Sequence, residues 1–188
     1  MKPVYIIALL CSTLALSAEW GIRLDLNGTG NQIPLEPAPG SRYIQNIQWG
    51  DAAKRPFALF VQKKGIPDNA PETLEVSFIP RKSGNVVLWL SGCYVKSPKA
   101  TEPDRAFVEY RLIEAKGTTI ENGDFSRRDA GGAPVAWTLR NGAFATASGV
   151  QAWQNGPAWQ TIRVQAGQPG TLRIQAVKGR YEKGKPPA

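Results

Sequence analysis

The chain has 188 residues, of which 23 are Lys or Arg and 15 are Asp or Glu, so its formal charge at pH 7 is +8. It contains no histidine, which excludes Ser-His-Asp triads, Cys-His dyads and imidazole zinc sites. Hydrophobic residues make up 42% of the chain, which is enough for a packed core, whereas 19 glycines and 15 prolines are too many for a helical bundle.

The first 18 residues have the layout of a secretory signal peptide. Lys2 provides a positive start, residues 4–16 form an apolar run, and the small residues Ser17 and Ala18 precede the expected cleavage point. The apolar run is too short to cross about 30 Å of hydrocarbon. We therefore expect an exported protein that is periplasmic, cell-surface or secreted and has no transmembrane segment.

Cys93 is the one cysteine that would remain after signal cleavage, so no disulfide is expected within the mature chain. It lies in an apolar run at residues 86–95. This context predicts that Cys93 is a small buried hydrophobic side chain, the alternative being a reactive thiol.

Most segments after residue 18 alternate apolar and polar side chains, which is typical of half-buried strands. The alternating segments are residues 21–26, 73–78, 107–113, 160–165 and 171–176. Residues 57–61 and 86–90 are apolar on both faces and predict central strands. No segment combines an apolar helical stripe with capping residues, and Gly, Pro and Asn separate the runs.

This pattern predicts an all-β fold, a two-sheet antiparallel β-sandwich over residues 19–181, with a loose basic tail at residues 182–188. Residues 161–164 and 171–174, joined by residues 166–170, predict a hairpin. One outward row of that hairpin would hold Arg163, Gln165, Arg173 and Gln175. Such a row is either a solvated sheet face or a platform for a polyanion.

Three short motifs carry a resemblance: ENGDF at residues 121–125, PVAW at 134–137 and QTIRVQAG at 160–167. They resemble the galactose-binding-like jelly-roll carbohydrate-binding modules over about residues 118–177, a third of the chain. The resemblance implies a jelly-roll sandwich that binds a glycan. In that family the first motif opens the domain, whereas here a segment of the closing type, residues 107–113, precedes it.

Three arrangements are compatible with this order. The chain is one sandwich with rearranged strands, a small sandwich followed by a half module, or a fold in which the motif arose from turn formation alone. We expect the first arrangement, because residues 19–181 suit one two-sheet core.

The resemblance also bears on calcium. Family members commonly hold a structural calcium ion with a Glu after the Asn-Gly-Asp-Phe segment and an Asp on the closing strand. Ser126 occupies the first position, and residues 109–111 lack the Asp. Glu121 and Asp124 remain weak candidate ligands, but calcium needs six to eight oxygens. No cofactor is therefore expected.

Recognition of sugars uses flat aromatic faces together with fixed polar groups. The candidate glycan-binding residues are Trp153, Trp137, Trp159, Arg140, Asn141 and Gln160. Trp153 lies in a polar stretch and is expected to be the most exposed of them, whereas Trp137 and Trp159 also suit the core. The other three tryptophans, Trp20, Trp49 and Trp89, are predicted to lie in the core.

The leading hypothesis is an exported, non-catalytic β-sandwich that binds carbohydrate, with a glycan or an anionic polymer as its partner. The chain has no nucleic-acid motif, so nucleic acid is not an expected partner. One alternative is an envelope structural or assembly protein with a protein partner. Another is a small glycoside hydrolase with a carboxylate pair, but no acidic residue has the strongly apolar context that would raise its pKa for acid catalysis.

Overall fold

The computed structural model describes residues 19–25, 33, 35–39, 44–47, 58–64, 67–95 and 104–183. Within these residues the chain forms thirteen strands and no helix. In chain order they are β1 (Glu19–Asp25), β2 (Leu35–Pro37), β3 (Ile44–Ile47), β4 (Ala58–Lys64), β5 (Glu72–Pro80), β6 (Gly84–Ser91), β7 (Cys93–Val95), β8 (Asp104–Lys116), β9 (Thr138–Leu139), β10 (Phe144–Thr146), β11 (Gly149–Ala152), β12 (Ala158–Val164) and β13 (Gly170–Glu182).

Some predictions concern other parts of the chain. The predicted signal peptide, Trp49 and residues 184–188 of the predicted tail lie outside the described residues. Glu182, the first residue of that tail, is the last residue of β13.

The strands form two antiparallel sheets. Sheet A has the order β3-β4-β1-β6-β12-β9, and sheet B has the order β10-β11-β8-β13-β5-β2, with β7 also paired to β8. The protein is therefore an all-β two-sheet sandwich, as the alternating sequence predicted. Of the two segments that are apolar on both faces, residues 58–61 lie in β4 and residues 86–90 lie in β6. Each of these strands has a neighbour on both sides, as expected for central strands.

The core lies between the sheets and follows the period-two pattern of each strand. In β5 the inward side chains Leu74, Val76 and Phe78 are fully buried. Cys93 is also fully buried, and burial raises the pKa of its thiol to about 12. The prediction that Cys93 is a small buried hydrophobic side chain is confirmed.

The predicted hairpin of residues 161–164 and 171–174 is wrong. β12 pairs with β6 and β9 in sheet A, whereas β13 pairs with β5 and β8 in sheet B, so residues 165–169 cross from one sheet to the other. The Gly167 amide donates to the Pro80 carbonyl at 2.7 Å, and the Ala166 amide donates to Ser83 Oγ at 2.9 Å. These bonds tie the crossing to the loop between β5 and β6, which also joins the two sheets.

This crossing also removes the predicted row of four outward residues. Arg163 lies on β12 of sheet A and Arg173 on β13 of sheet B, so the two face outward on opposite sides of the sandwich. Arg173 instead lies 3.8 Å from the carboxylate of Glu114 on the neighbouring strand β8.

Candidate ligand-binding site

The segment from residue 117 to residue 137 leads from sheet B to sheet A and is held by the first motif. Asn122 has a φ of 53°, and its side chain donates to the carbonyls of Arg127 at 2.9 Å and Val135 at 3.0 Å. Its Oδ1 accepts from the Arg127 amide at 2.9 Å. Phe125 has a φ of 57° and is fully buried, with its ring centroid 5.0 Å from that of Trp137. The motif therefore anchors this segment to the core.

Trp137 is part of that anchor. Its side chain is 6% exposed, and its Nε1 donates to the Asn122 carbonyl at 3.2 Å. The core placement considered from the sequence is confirmed, so this indole has no open face on which a ring could stack.

The expectation that Trp153 is exposed is wrong, because its side chain is only 7% exposed. Trp153 and Gly156 exchange two backbone hydrogen bonds, at 3.0 and 3.1 Å, in a tight turn. A Cβ at Gly156 would lie 2.1 Å from Trp153 Nε1, so only glycine lets the turn fold back over the indole. The ring packs against Phe107, and the guanidinium of Arg105 lies 4.8 Å from its centroid.

Asn141 contacts Trp153, and Arg140 follows the end of β9. Asn141 has a φ of 46°, and its carbonyl accepts from Trp153 Nε1 at 2.9 Å. Its side chain donates to the Asn155 carbonyl at 2.9 Å. Arg140 is exposed, and its amide donates to the Pro157 carbonyl at 3.1 Å. The structure thus places Asn141 in a structural role.

Gln160 points inward and is 4% exposed. Its Nε2 donates to the carbonyls of Glu121 at 2.8 Å and Ala136 at 3.3 Å, and its Oε1 accepts from the Glu121 amide at 2.9 Å. These bonds clamp the segment 117–137 to β12. The six predicted site residues therefore do not form one site.

Trp159 is half-buried on the outward face of sheet A. It is the register partner of Trp89 in β6, and the two ring centroids are 5.6 Å apart at an angle of 38°. Trp89, which was predicted to lie in the core, is half-buried on the same outward face. Tryptophans on neighbouring strands thus make a ridge on this face, which we call the tryptophan pair.

A groove of about 390 Å³ lies beside Trp159. It is lined by Thr119, Glu121, Ala136, Trp159, Gln160, Thr161 and Arg163. One aromatic wall thus faces a set of hydroxyl, carboxylate and guanidinium groups. We call this feature the Trp159 groove.

The groove follows from the shortness of β9. The ladder between β9 and β12 ends at Trp159, because Ala136 turns away with a φ of 68°. Beyond this point the segment 118–121 runs beside the edge of β12, and the Thr118 hydroxyl donates to the Arg163 carbonyl at 2.8 Å. The groove therefore lies between a strand edge and a loop that buried residues hold in place.

The charges in the groove are unequal. Glu121 accepts from the Arg127 guanidinium at 2.9 Å, and both side chains are 57% exposed. Arg163 is exposed, and none of the described carboxylates forms an ion pair with it. The groove therefore has one cation without a counter-charge among the described residues.

The candidate calcium ligands are engaged elsewhere. Asp124 Oδ1 accepts from the Ser126 amide at 3.2 Å and the Ser126 hydroxyl at 3.0 Å, and these bonds hold the pKa of Asp124 below its ordinary value. Glu121 pairs with Arg127. Among the described residues, no three His, Cys, Asp or Glu side chains come together as a metal site would require.

The carboxylate of Glu109 lies outside the groove, buried on the outward side of sheet B. It accepts hydrogen bonds from Ser148 Oγ at 2.7 Å, Gln151 Nε2 at 2.9 Å and Arg111 Nε at 2.9 Å. Burial raises the pKa of Glu109, but these bonds and the charge of Arg111 outweigh that effect and hold the pKa below its ordinary value. Glu109 is thus an ionised structural group, which periodicity alone could not distinguish from an exposed strand carboxylate.

We expect Glu109→Gln to destabilise the protein by about 1–3 kcal/mol at pH 7, because the side chains of Ser148, Gln151 and Arg111 lose an ionised hydrogen-bond acceptor. A carboxylate whose pKa is lowered by folding stabilises the native state above its unfolded pKa, and this contribution disappears as the pH falls through the folded pKa. Urea unfolding from pH 7 to pH 3 should therefore show the two proteins converging at acid pH. Glu114→Gln, an exposed control, should change stability by less than about 0.5 kcal/mol. A constant difference across this range would contradict the role of the charge.

In the part of the chain that the structure describes, no helix has the length and apolar character needed to span a bilayer. Comparisons of the chain with protein-family models, curated proteins and solved structures found no match.

Proposed function

We propose that this protein is an exported, non-catalytic carbohydrate-binding β-sandwich and that it binds a glycan in the Trp159 groove. The observation that carries the proposal is the half-buried indole of Trp159 beside a groove lined by polar groups. The apolar C–H face of a sugar ring stacks on an indole, while hydroxyl and charged groups orient the sugar hydroxyls. The resemblance of residues 118–177 to galactose-binding-like modules supports the same class of ligand.

The tryptophan pair supports this assignment in physical terms. Trp89 packs against one side of Trp159, and the clamp of Gln160 holds the opposite wall of the groove. A rigid aromatic platform loses little conformational entropy when a ligand binds, so more of the contact energy appears as affinity.

The carboxylates of the described residues favour binding over hydrolysis. Glu121 is the one acidic residue among those that line the groove, and it pairs with Arg127. Glycoside hydrolysis requires two carboxylates on either side of the scissile bond. Glu109 belongs to a separate hydrogen-bond network on sheet B.

The test is glycan-array binding of the purified protein and of Trp159→Ala. We expect the substitution to weaken binding by at least about ten-fold, which corresponds to about 1.4 kcal/mol of lost stacking energy. Arg173→Gln, on the opposite face of the sandwich, is the matched control and should bind as the wild type does. Unchanged binding by Trp159→Ala, with an unfolding midpoint near that of the wild type, would refute this site.

A second candidate function, docking of a protein partner, is favoured by the open edge of β12. The Arg163 carbonyl accepts from the Thr118 hydroxyl on this side of β12. The backbone groups of Thr161, two residues earlier in the same strand, therefore face the groove as well. An extended peptide can add to such an edge by main-chain hydrogen bonds. If this function is correct, neither the wild type nor Trp159→Ala should bind a glycan. A peptide partner should instead protect the Thr161 amide of the wild type from hydrogen exchange.

A further inference from the structure

The arginines of the described residues differ in whether they have a partner. Ion pairs hold Arg81, Arg105, Arg111, Arg127, Arg173 and Arg180. Arg128 donates to the Thr146 carbonyl at 2.7 Å. Among the described side chains, the guanidinium groups of Arg140 and Arg163 have no such partner, and Arg163 is the one of these two that lines the groove.

Arg163 lies on the same outward face of β12 as Trp159 and Thr161. Four residues along a strand correspond to roughly 13 Å at about 3.3 Å per residue. A ligand that stacks on Trp159 and also contacts Arg163 therefore extends along the strand, as an oligosaccharide does. The Thr118 hydroxyl, which bonds the Arg163 carbonyl at 2.8 Å, fixes the backbone from which this side chain projects.

The charge balance of the groove favours an anionic ligand group. Arg127 neutralises Glu121 at 2.9 Å, which leaves the charge of Arg163 uncompensated by any described residue. A guanidinium presents its donors in a planar fork that matches two oxygens of a carboxylate or sulfate group.

We propose that the Trp159 groove selects an acidic oligosaccharide, with one sugar ring on Trp159 and the anionic group of a sugar on the Arg163 guanidinium. The inference rests on the proposed function, because it assigns the ligand class of the same groove. A specific contact of this kind differs from the general attraction of anions by a chain with a formal charge of +8, because salt would screen the general attraction.

The experiment compares binding to matched pairs of oligosaccharides in about 0.15 M salt. One set has oligouronates with free carboxylates and their methyl esters, and the other has sulfated glycosaminoglycan oligosaccharides and their desulfated forms. The two sets separate a carboxylate from a sulfate as the recognised group. The proteins are the wild type, Arg163→Gln, Trp159→Ala and Arg140→Gln, in which the last removes an exposed arginine that does not line the groove.

We expect the wild type to bind the acidic member of a pair at least ten-fold more tightly than the neutral member. Arg163→Gln should abolish this preference, Trp159→Ala should weaken both members, and Arg140→Gln should behave as the wild type does. The unfolding midpoint of Arg163→Gln in urea should remain near that of the wild type, because the side chain is exposed and has no ion-pair partner among the described residues.

Three outcomes would overturn the inference. Equal binding of acidic and neutral members, with Trp159→Ala still impaired, would refute anion selection and leave the proposed function standing. If Arg163→Gln and Arg140→Gln lose the same affinity for the acidic members, and this difference from the wild type disappears at high salt, a diffuse basic surface is responsible. Absence of binding to every glycan in both sets and on the array would refute both the inference and the proposed function.

Discussion

Gly92→Ala is expected to destabilise the protein by about 3 kcal/mol or more, at the upper end of the cost of overpacking a core. Gly92 lies between β6 of sheet A and β7 of sheet B, where the chain crosses the sandwich. A Cβ at this position would lie 2.3 Å from the Ala152 carbonyl oxygen, 2.6 Å from Trp153 Cα and 2.8 Å from the Ala106 carbonyl oxygen. All three are backbone atoms, of β8, of β11 and of the residue after β11, so relief of the clash requires the backbone of these segments to move.

Urea unfolding measures this effect, because a change in midpoint at constant slope reports stability directly. Gly131→Ala is the matched control. Its Cβ would meet only Asp129 Oδ1, at 3.4 Å, and we expect a change within about 0.5 kcal/mol. A Gly92→Ala protein as stable as Gly131→Ala would show that the close crossing of the two sheets is not required by the fold.

Trp137→Ala is expected to cost about 3–5 kcal/mol, the usual range for removing a large buried aromatic side chain. The substitution would leave Phe125 without its ring neighbour and remove the hydrogen bond to the Asn122 carbonyl. Because the segment 117–137 forms one wall of the Trp159 groove, part of the damage should appear there as a loss of order. Trp137→Phe, which keeps an aromatic ring, should retain a larger part of the stability.

The comparison with Trp159→Ala separates a core role from a binding role. Trp159 is only half-buried, so its removal should lower the free energy of unfolding much less than removal of Trp137 does. The loss of glycan binding in Trp159→Ala should be large relative to this small loss of stability. The measurements are urea unfolding and glycan binding on the same preparations. A stable Trp137→Ala protein that has lost all glycan binding would show that Trp137, and not Trp159, contacts the sugar.

Local patterns were sufficient where one strand determines the outcome. Alternation in residues 73–78 and 160–165 identified β5 and β12 and the faces that each strand buries, because the side chains of a strand point alternately to opposite sides. The apolar context of Cys93 predicted its burial for the same reason. The carbohydrate hypothesis also came from sequence, through the motifs at residues 121–137.

Local patterns failed where the choice of neighbour decides the outcome. The alternation of β12 and β13 is the same whether the loop between them closes a hairpin within one sheet or an arch between two sheets. Pro80 and Ser83, which hold the arch, lie more than eighty residues away in sequence. The sequence also predicted that Trp153 is the more exposed indole, whereas Trp159 borders the groove. The turn at Gly156 buries Trp153, and the end of β9 leaves Trp159 partly open.

Strand periodicity and burial are properties of neighbouring residues, so half-buried strands around an apolar core could be predicted from the sequence of this chain. The pairing of strands within each sheet and the choice of the tryptophan that borders a groove could not. The positions of Arg163 and Arg173 on opposite faces of the sandwich likewise follow from the sheet order. These outcomes depend on contacts between residues far apart in the chain, and the free energy of those contacts does not appear in any local pattern.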